Sequence, residues 1–196
     1  MRKFDLKVLL ILSLGHLVVD IYQGALPAIL PFLKEKLDLT YAMTGMILMA
    51  SNFTSSILQP VFGYVSDKKA MAYLLPLGLV AAGVGFSVLP FSPYFLLILG
   101  LVIISGLGVA SYHPEGYKTA HFFTGDRPAT GMSVFSVGGN VGFSLGPILS
   151  MYIIDLYGFP WLPVIVVPSL LCAAVIVAYR RTIMVPVAVH GEAARR

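Results

Sequence analysis

The chain has 196 residues, 58% hydrophobic and 11% charged, with a mean hydropathy of +0.88; a soluble domain carries about 25% charged residues, so an ordinary soluble protein is excluded. The net charge of +4 comes from 13 Lys and Arg against 9 Asp and Glu, and cations scattered among long apolar runs form no basic face for nucleic acid. Cys172 is the single cysteine, so neither a disulfide framework nor a zinc site is expected.

Six apolar stretches, at Val8–Leu33, Tyr41–Val65, Ala70–Leu89, Tyr94–Tyr112, Ala129–Ile154 and Pro160–Tyr179, each approach or exceed the length of a membrane span. They predict an all-α membrane fold with six transmembrane helices over residues 1–181 and a cytoplasmic tail over residues 182–196. A membrane barrel is excluded by Leu96–Ile104, nearly all apolar and without alternation. Short polar interruptions read as loops: Lys34 to Lys36, Ser66 to Lys69, Pro90 to Pro93, Thr124 to Pro128 and Asp155 to Gly158. The N-terminal Met1-Arg2-Lys3 and apolar run resemble a signal peptide, but the run continues to Leu33 and another span follows, so no cleavage is expected. With the N-terminus inside, eleven of the Lys and Arg fall on cytoplasmic segments and only Lys34 and Lys36 outside, so both termini are expected in the cytoplasm of a cell-membrane protein.

The informative residues are the polar ones inside the helices, because ionisable groups in hydrocarbon normally face a bundle interior or an aqueous cavity. In the first helix, His16 and Asp20 lie four apart on one face, about 12 and 18 Å beyond Val8 at the usual helical rise, near mid-membrane. Gln23 and Gly24 extend that face, and Pro27 and Pro31 invite a bend. Two readings stand: a buried pair holding helices together, or a centre that handles protons or substrate, since a carboxylate at mid-depth can take up a proton.

The fourth helix is predicted to end in Ser111-Tyr112-His113-Pro114-Glu115-Gly116-Tyr117, a polar cluster at the cytoplasmic mouth where His113 and Glu115 offer imidazole and carboxyl groups. That stretch with His121 supplies too few convergent ligands for a metal, so no metal site and no cofactor are expected. On the fifth helix, Gly138, Gly142, Gly146 and Ser150 recur at intervals of four, a stripe that lets two backbones approach, and Pro147 adds a weak point.

At these residues the chain resembles the major facilitator superfamily. Gly63-Tyr64-Val65-Ser66-Asp67-Lys68 matches its G-x-x-x-D-[RK] motif, in which Gly63, Asp67 and Lys68 would form a conformational gate, and Gly142 to Pro147 resembles the Gly-Pro motif of its antiporters. His16-x-x-x-Asp20, Leu26 to Pro31, the His113-Pro114-Glu115 turn and Val137 to Asn140 resemble its fosmidomycin-resistance branch. Two departures stand out: Lys69-Ala70-Met71 replaces the usual continuation of the loop motif, and Val102 stands where many proton-coupled members carry an arginine. The second shifts weight to His16, Asp20 and Glu115.

The resemblance implies one six-helix half of a secondary transporter, built from two inverted three-helix repeats and working by alternating access. Its first and fourth helices would line the central cavity, placing His16, Asp20, Gln23, His113 and Glu115 as proton- or substrate-handling residues, and its second and fifth would face a second half. That half is expected from a second copy, a separate chain or the remainder of a longer protein. The implied function is efflux of a drug or other small organic compound in exchange for protons, with uptake of an anionic metabolite as the alternative. A membrane serine protease is disfavoured because the sixth helix holds no histidine base, and a scaffold or oligomeric channel is the remaining rival class.

Overall fold

In the computed structural model, residues 4–68 and 71–183 are described, and among them the backbone is helical and contains no strand. Helix α1 (Leu6–Leu37) opens with the Asp5 carboxylate accepting from the Val8 amide at 3.1 Å and closes at Asp38 in the left-handed region. It continues four residues beyond the predicted end at Leu33, through the expected loop, because Lys34, Glu35 and Lys36 are good helix formers and no breaker stands between them and Asp38. At about 1.5 Å per residue it is roughly 48 Å long, so it outreaches a hydrocarbon core.

The second predicted span divides. Helix α2 (Tyr41–Asn52) passes into a π-helical turn at Phe53–Ile57 and resumes as α3 (Gln59–Lys68). The G-x-x-x-D-[RK] residues therefore sit on the last turns of α3 rather than in a loop, with Gly63 facing Pro114 and Asp67 exposed. Helix α4 (Leu74–Ser87) follows, and the predicted start at Ala70 lies outside the described residues.

Helix α5 (Phe95–Phe122) corrects the sequence reading most, because it runs straight through His113-Pro114-Glu115 where a helix end and a turn were expected. Proline removes one backbone donor, yet neighbouring helices hold both sides of Pro114 in place. Helix α6 (Pro128–Tyr157) contains the predicted span but runs on through Asp155, Leu156 and Tyr157, where a loop was expected, and stops only at Gly158; the last predicted span forms a 3₁₀ segment (Phe159–Ile165) leading into α7 (Val166–Ala178). Five of these segments are long and apolar enough to cross a membrane, namely Leu6–Leu37, Leu74–Phe91, Phe95–Phe122, Pro128–Tyr157 and Phe159–Ala178.

Helix α1 is the hub, packed most extensively on α6 and also on α5, α7 and α4. Its seam with α6 is made by the glycine stripe. A Cβ at Gly138 would meet the Ser13 backbone, one at Gly142 the Leu17 carbonyl, and one at Gly146 the Ile21 and Gly24–Ala25 backbone. The stripe is thus covered by α1 of the same chain, which corrects the expectation that it faces a second half. Leu9, Leu12, Ile29, Leu79, Phe86 and Phe135 close the core. Two phenols stitch helices together, Tyr22 donating to the Ile165 carbonyl at 2.9 Å and Tyr112 to the Leu12 carbonyl at 2.8 Å. Ile183 is also buried in this core, while residues 184–196 of the predicted tail lie outside the described residues.

Candidate functional site

The polar residues of α1 and α5 meet where the two helices cross. Asp20 receives two imidazoles: His16 Nε2 lies 3.3 Å from its Oδ2, and His113 Nε2 lies 3.1 Å from its Oδ1. Both rings are fixed from behind. The other nitrogen of His16, Nδ1, is 2.9 Å from the Phe135 carbonyl, and that of His113 is 3.0 Å from the Val109 carbonyl one turn back. A carbonyl only accepts, so each Nδ1 carries a hydrogen and donates it. Each Nε2 is thereby aimed at the carboxylate.

His16 also stacks on Phe135 with ring centroids 4.3 Å apart and meets His113 edge-on at 4.9 Å. His16, Asp20 and His113 are all largely buried, and each carboxylate oxygen of Asp20 has one imidazole nitrogen as its neighbour. An Nε2 lone pair facing a carboxylate oxygen is repulsive unless a cation lies between them. Each of these contacts therefore holds a proton on Nε2 or another cation between nitrogen and oxygen.

The cluster forms one wall of a cavity of about 330 Å³. Gln23 from α1, Gln59 from α3, Tyr117 from α5, and Ser136 and Asn140 from α6 complete its polar lining. Of the predicted residues, His16, Asp20, Gln23 and His113 are brought together here.

Glu115 is not. Two positions beyond His113 on a continuous helix, it points about 200° away, into a second cluster against α3. Its Oε2 accepts from the Ser66 hydroxyl and pairs with Lys118 Nζ at 2.8 Å, while Lys118 also donates to the Ser66 hydroxyl and, at 3.0 Å, to the Ser66 carbonyl. Glu115 is fully buried, and the Lys118 side chain is 30% exposed. Glu115 Oε1 and Thr119 Oγ1 are buried without hydrogen-bond partners among the described residues. This cluster braces the α3 motif to α5.

Sequence reasoning missed Gln59, Tyr117, Ser136 and Asn140 as cavity residues, and also missed Gly139. A Cβ at Gly139 would lie 2.5 Å from His16 Nε2 and 2.6 Å from Asp20 Oδ2, so the absence of a side chain there makes room for the cluster. The signal was present in Gly138-Gly139, of which only the first belongs to the stripe. The expectation of no metal site weighed His113, Glu115 and His121 as one stretch. Instead His16, Asp20 and His113 each bring a ligand atom within 4.8 Å of the others.

The model of the Major Facilitator Superfamily matches residues 12–195. The fosmidomycin resistance protein of Escherichia coli (strain K12) is 39% identical over 147 residues, which is 75% of this chain and 36% of that protein. The MFS-type transporter YfnC of Bacillus subtilis (strain 168) is 37% identical over the same proportions. The bacillibactin exporter of the same organism is 27% identical over 163 residues, 79% of this chain and 40% of that protein. The chain therefore spans little more than a third of the length of these relatives.

Proposed function

We propose, for a chain that belongs to the Major Facilitator Superfamily, that it forms one half of a secondary transporter exporting a small organic compound in exchange for protons. The observation that carries this reading is the polar cavity walled by α1, α3, α5 and α6, with a buried charged centre at its side. A passive helix bundle has no reason to bury His16, Asp20 and His113 around an accessible space, because ionisable groups at membrane depth are costly. The export direction is supported by two relatives, one named for fosmidomycin resistance and one as an exporter.

In this reading Tyr41–Lys68 is the sixth crossing, bent at the π turn, and the six helices form two inverted three-helix repeats. The distribution of Lys and Arg supports a cell-membrane protein with both termini on the cytoplasmic side. A second half, whether another copy, a separate chain or further sequence of a longer protein, closes the cavity's open side. The exposed apolar side chains Met49 and Phe53, and Val137 and Ile148 of α6, offer it a surface in place of the glycine stripe.

The test is flux in proteoliposomes with fosmidomycin as the probe. Movement that saturates, runs uphill when a pH gradient is imposed and collapses with a protonophore supports coupled transport. Equilibration indifferent to the gradient overturns it, and concentration only in the inward direction favours the uptake reading. A reporter fused after Arg196 active outside the cytoplasm would overturn the orientation, and bleaching steps that count a lone transporting copy would overturn the half-unit.

A further inference from the structure

We infer that His16, Asp20 and His113 form a binding site for a divalent transition-metal ion of the zinc class. The inference needs side-chain geometry alone and does not rest on the transport reading.

Four observations converge. The ligand atoms are two imidazole Nε2 and a carboxylate, mutually within 4.8 Å. Two ligands each bound at about 2.0–2.1 Å in tetrahedral geometry stand roughly 3.3 Å apart; His16 Nε2 is 3.3 Å from Asp20 Oδ2 and His113 Nε2 is 3.1 Å from Asp20 Oδ1, so an ion meeting both imidazoles would sit against the two oxygens of the one carboxylate. Both histidines donate their other ring hydrogen to a backbone carbonyl, the supporting contact that metal-bound histidines ordinarily make because it fixes the tautomer with Nε2 free to coordinate. Finally, both oxygens of the largely buried Asp20 are turned toward an imidazole nitrogen, so the positive charge that offsets the carboxylate has to sit among these three groups.

The donor set selects the metal. Two nitrogens and one carboxylate suit Zn²⁺, Co²⁺ or Ni²⁺, whereas Mg²⁺ and Ca²⁺ favour oxygen shells. Three protein ligands leave a fourth position, and it faces the 330 Å³ cavity that the same three residues help to line, where water or an oxygen atom of a cavity occupant completes the shell. Since the ligands come from α1 and α5, a bound ion ties the two helices together.

The full chain, freed of any histidine tag and held in lipid nanodiscs, is titrated with Zn²⁺ by calorimetry and with Co²⁺ by visible absorption. The expected result is one ion per chain, unaffected by excess Mg²⁺, with a Co²⁺ spectrum of low coordination number and a rise in melting temperature on adding Zn²⁺. His16→Gln, Asp20→Asn and His113→Gln each weaken binding by about tenfold or more, while His121→Gln and His190→Gln leave it unchanged. Failure of the folded wild-type chain to bind Zn²⁺ stoichiometrically overturns the site without reference to any variant. Binding that survives all three substitutions, or moves with His121 or His190, overturns it equally.

Discussion

Two buried charged clusters share α5 within three residues, and they differ in what they face. The cluster around Asp20 opens on a cavity, and its carboxylate meets two imidazoles and no lysine or arginine. The cluster around Glu115 carries its own cation: Lys118 and the Ser66 hydroxyl converge on one carboxylate oxygen, and Ser66 ties α3 to α5. The first holds its histidines by backbone carbonyls and leaves the centre for something else to fill. The second supplies its own positive charge, from Lys118. A buried charge therefore reads as functional or as structural according to whether its neighbours complete it.

The largest expected effect breaks the cluster around Glu115. Lys118→Met leaves a buried carboxylate without its cation, which costs about 3–5 kcal/mol and shows as a sharply lowered denaturation midpoint in detergent. Glu115→Gln costs less, about 1–3 kcal/mol, because the Lys118 side chain is already 30% exposed and turns to water. If the glutamine variant is the more damaging of the two, the brace is wrongly assigned.

Next comes the open cluster. Asp20→Asn keeps shape and volume but removes the charge between the two imidazoles, so flux falls by about tenfold or more, a loss of at least about 1.4 kcal/mol, while the denaturation midpoint stays near that of the wild type. Transport at the wild-type rate would reduce Asp20 to a structural residue like Glu115. Gly139→Ala probes the same cluster without touching its charges. The added methyl collides with His16 Nε2 and Asp20 Oδ2, so flux and metal binding fall together and stability drops by about 1–3 kcal/mol. Full activity in this variant would show that the cluster is looser than its contacts imply.

The smallest effect belongs to the cavity rim. Asn140 is exposed and lines the cavity from α6, so Asn140→Ala leaves stability within about 0.5 kcal/mol and raises the substrate concentration for half-maximal flux by a few fold, the loss of about one hydrogen bond. An unchanged half-maximal concentration would place the substrate path on another wall.

The sequence made the helices legible because apolar length alone defines them, and it made His16 with Asp20 legible because residues four apart on a helix share a face. It misled at His113-Pro114-Glu115 for a definite reason. Read as a turn, the two ionisable residues can converge, but α5 continues through Pro114 and residues two apart on a helix diverge by about 200°. The arrival of His113 at Asp20 depends on how α5 crosses α1, which no local pattern encodes. The glycine stripe was recognisable as a close-packing surface, but its partner was not, since glycine accommodates any backbone that reaches it.

The π-helical turn at Phe53–Ile57 sets the angular phase of everything beyond it on that helical arm. It holds one residue more than an α-helical turn would, and each residue in an α-helix advances the side chains by about 100°. Gln59 on the cavity and Ser66 on the Glu115 brace both lie downstream. Deleting the exposed Ser56 to restore an unbroken α-helix would rotate both about the axis together, carrying Gln59 off the cavity wall and Ser66 away from Glu115. A single surplus residue thus keeps two distant clusters in register with their partners, and a shift of that surplus by one turn would re-aim both at once.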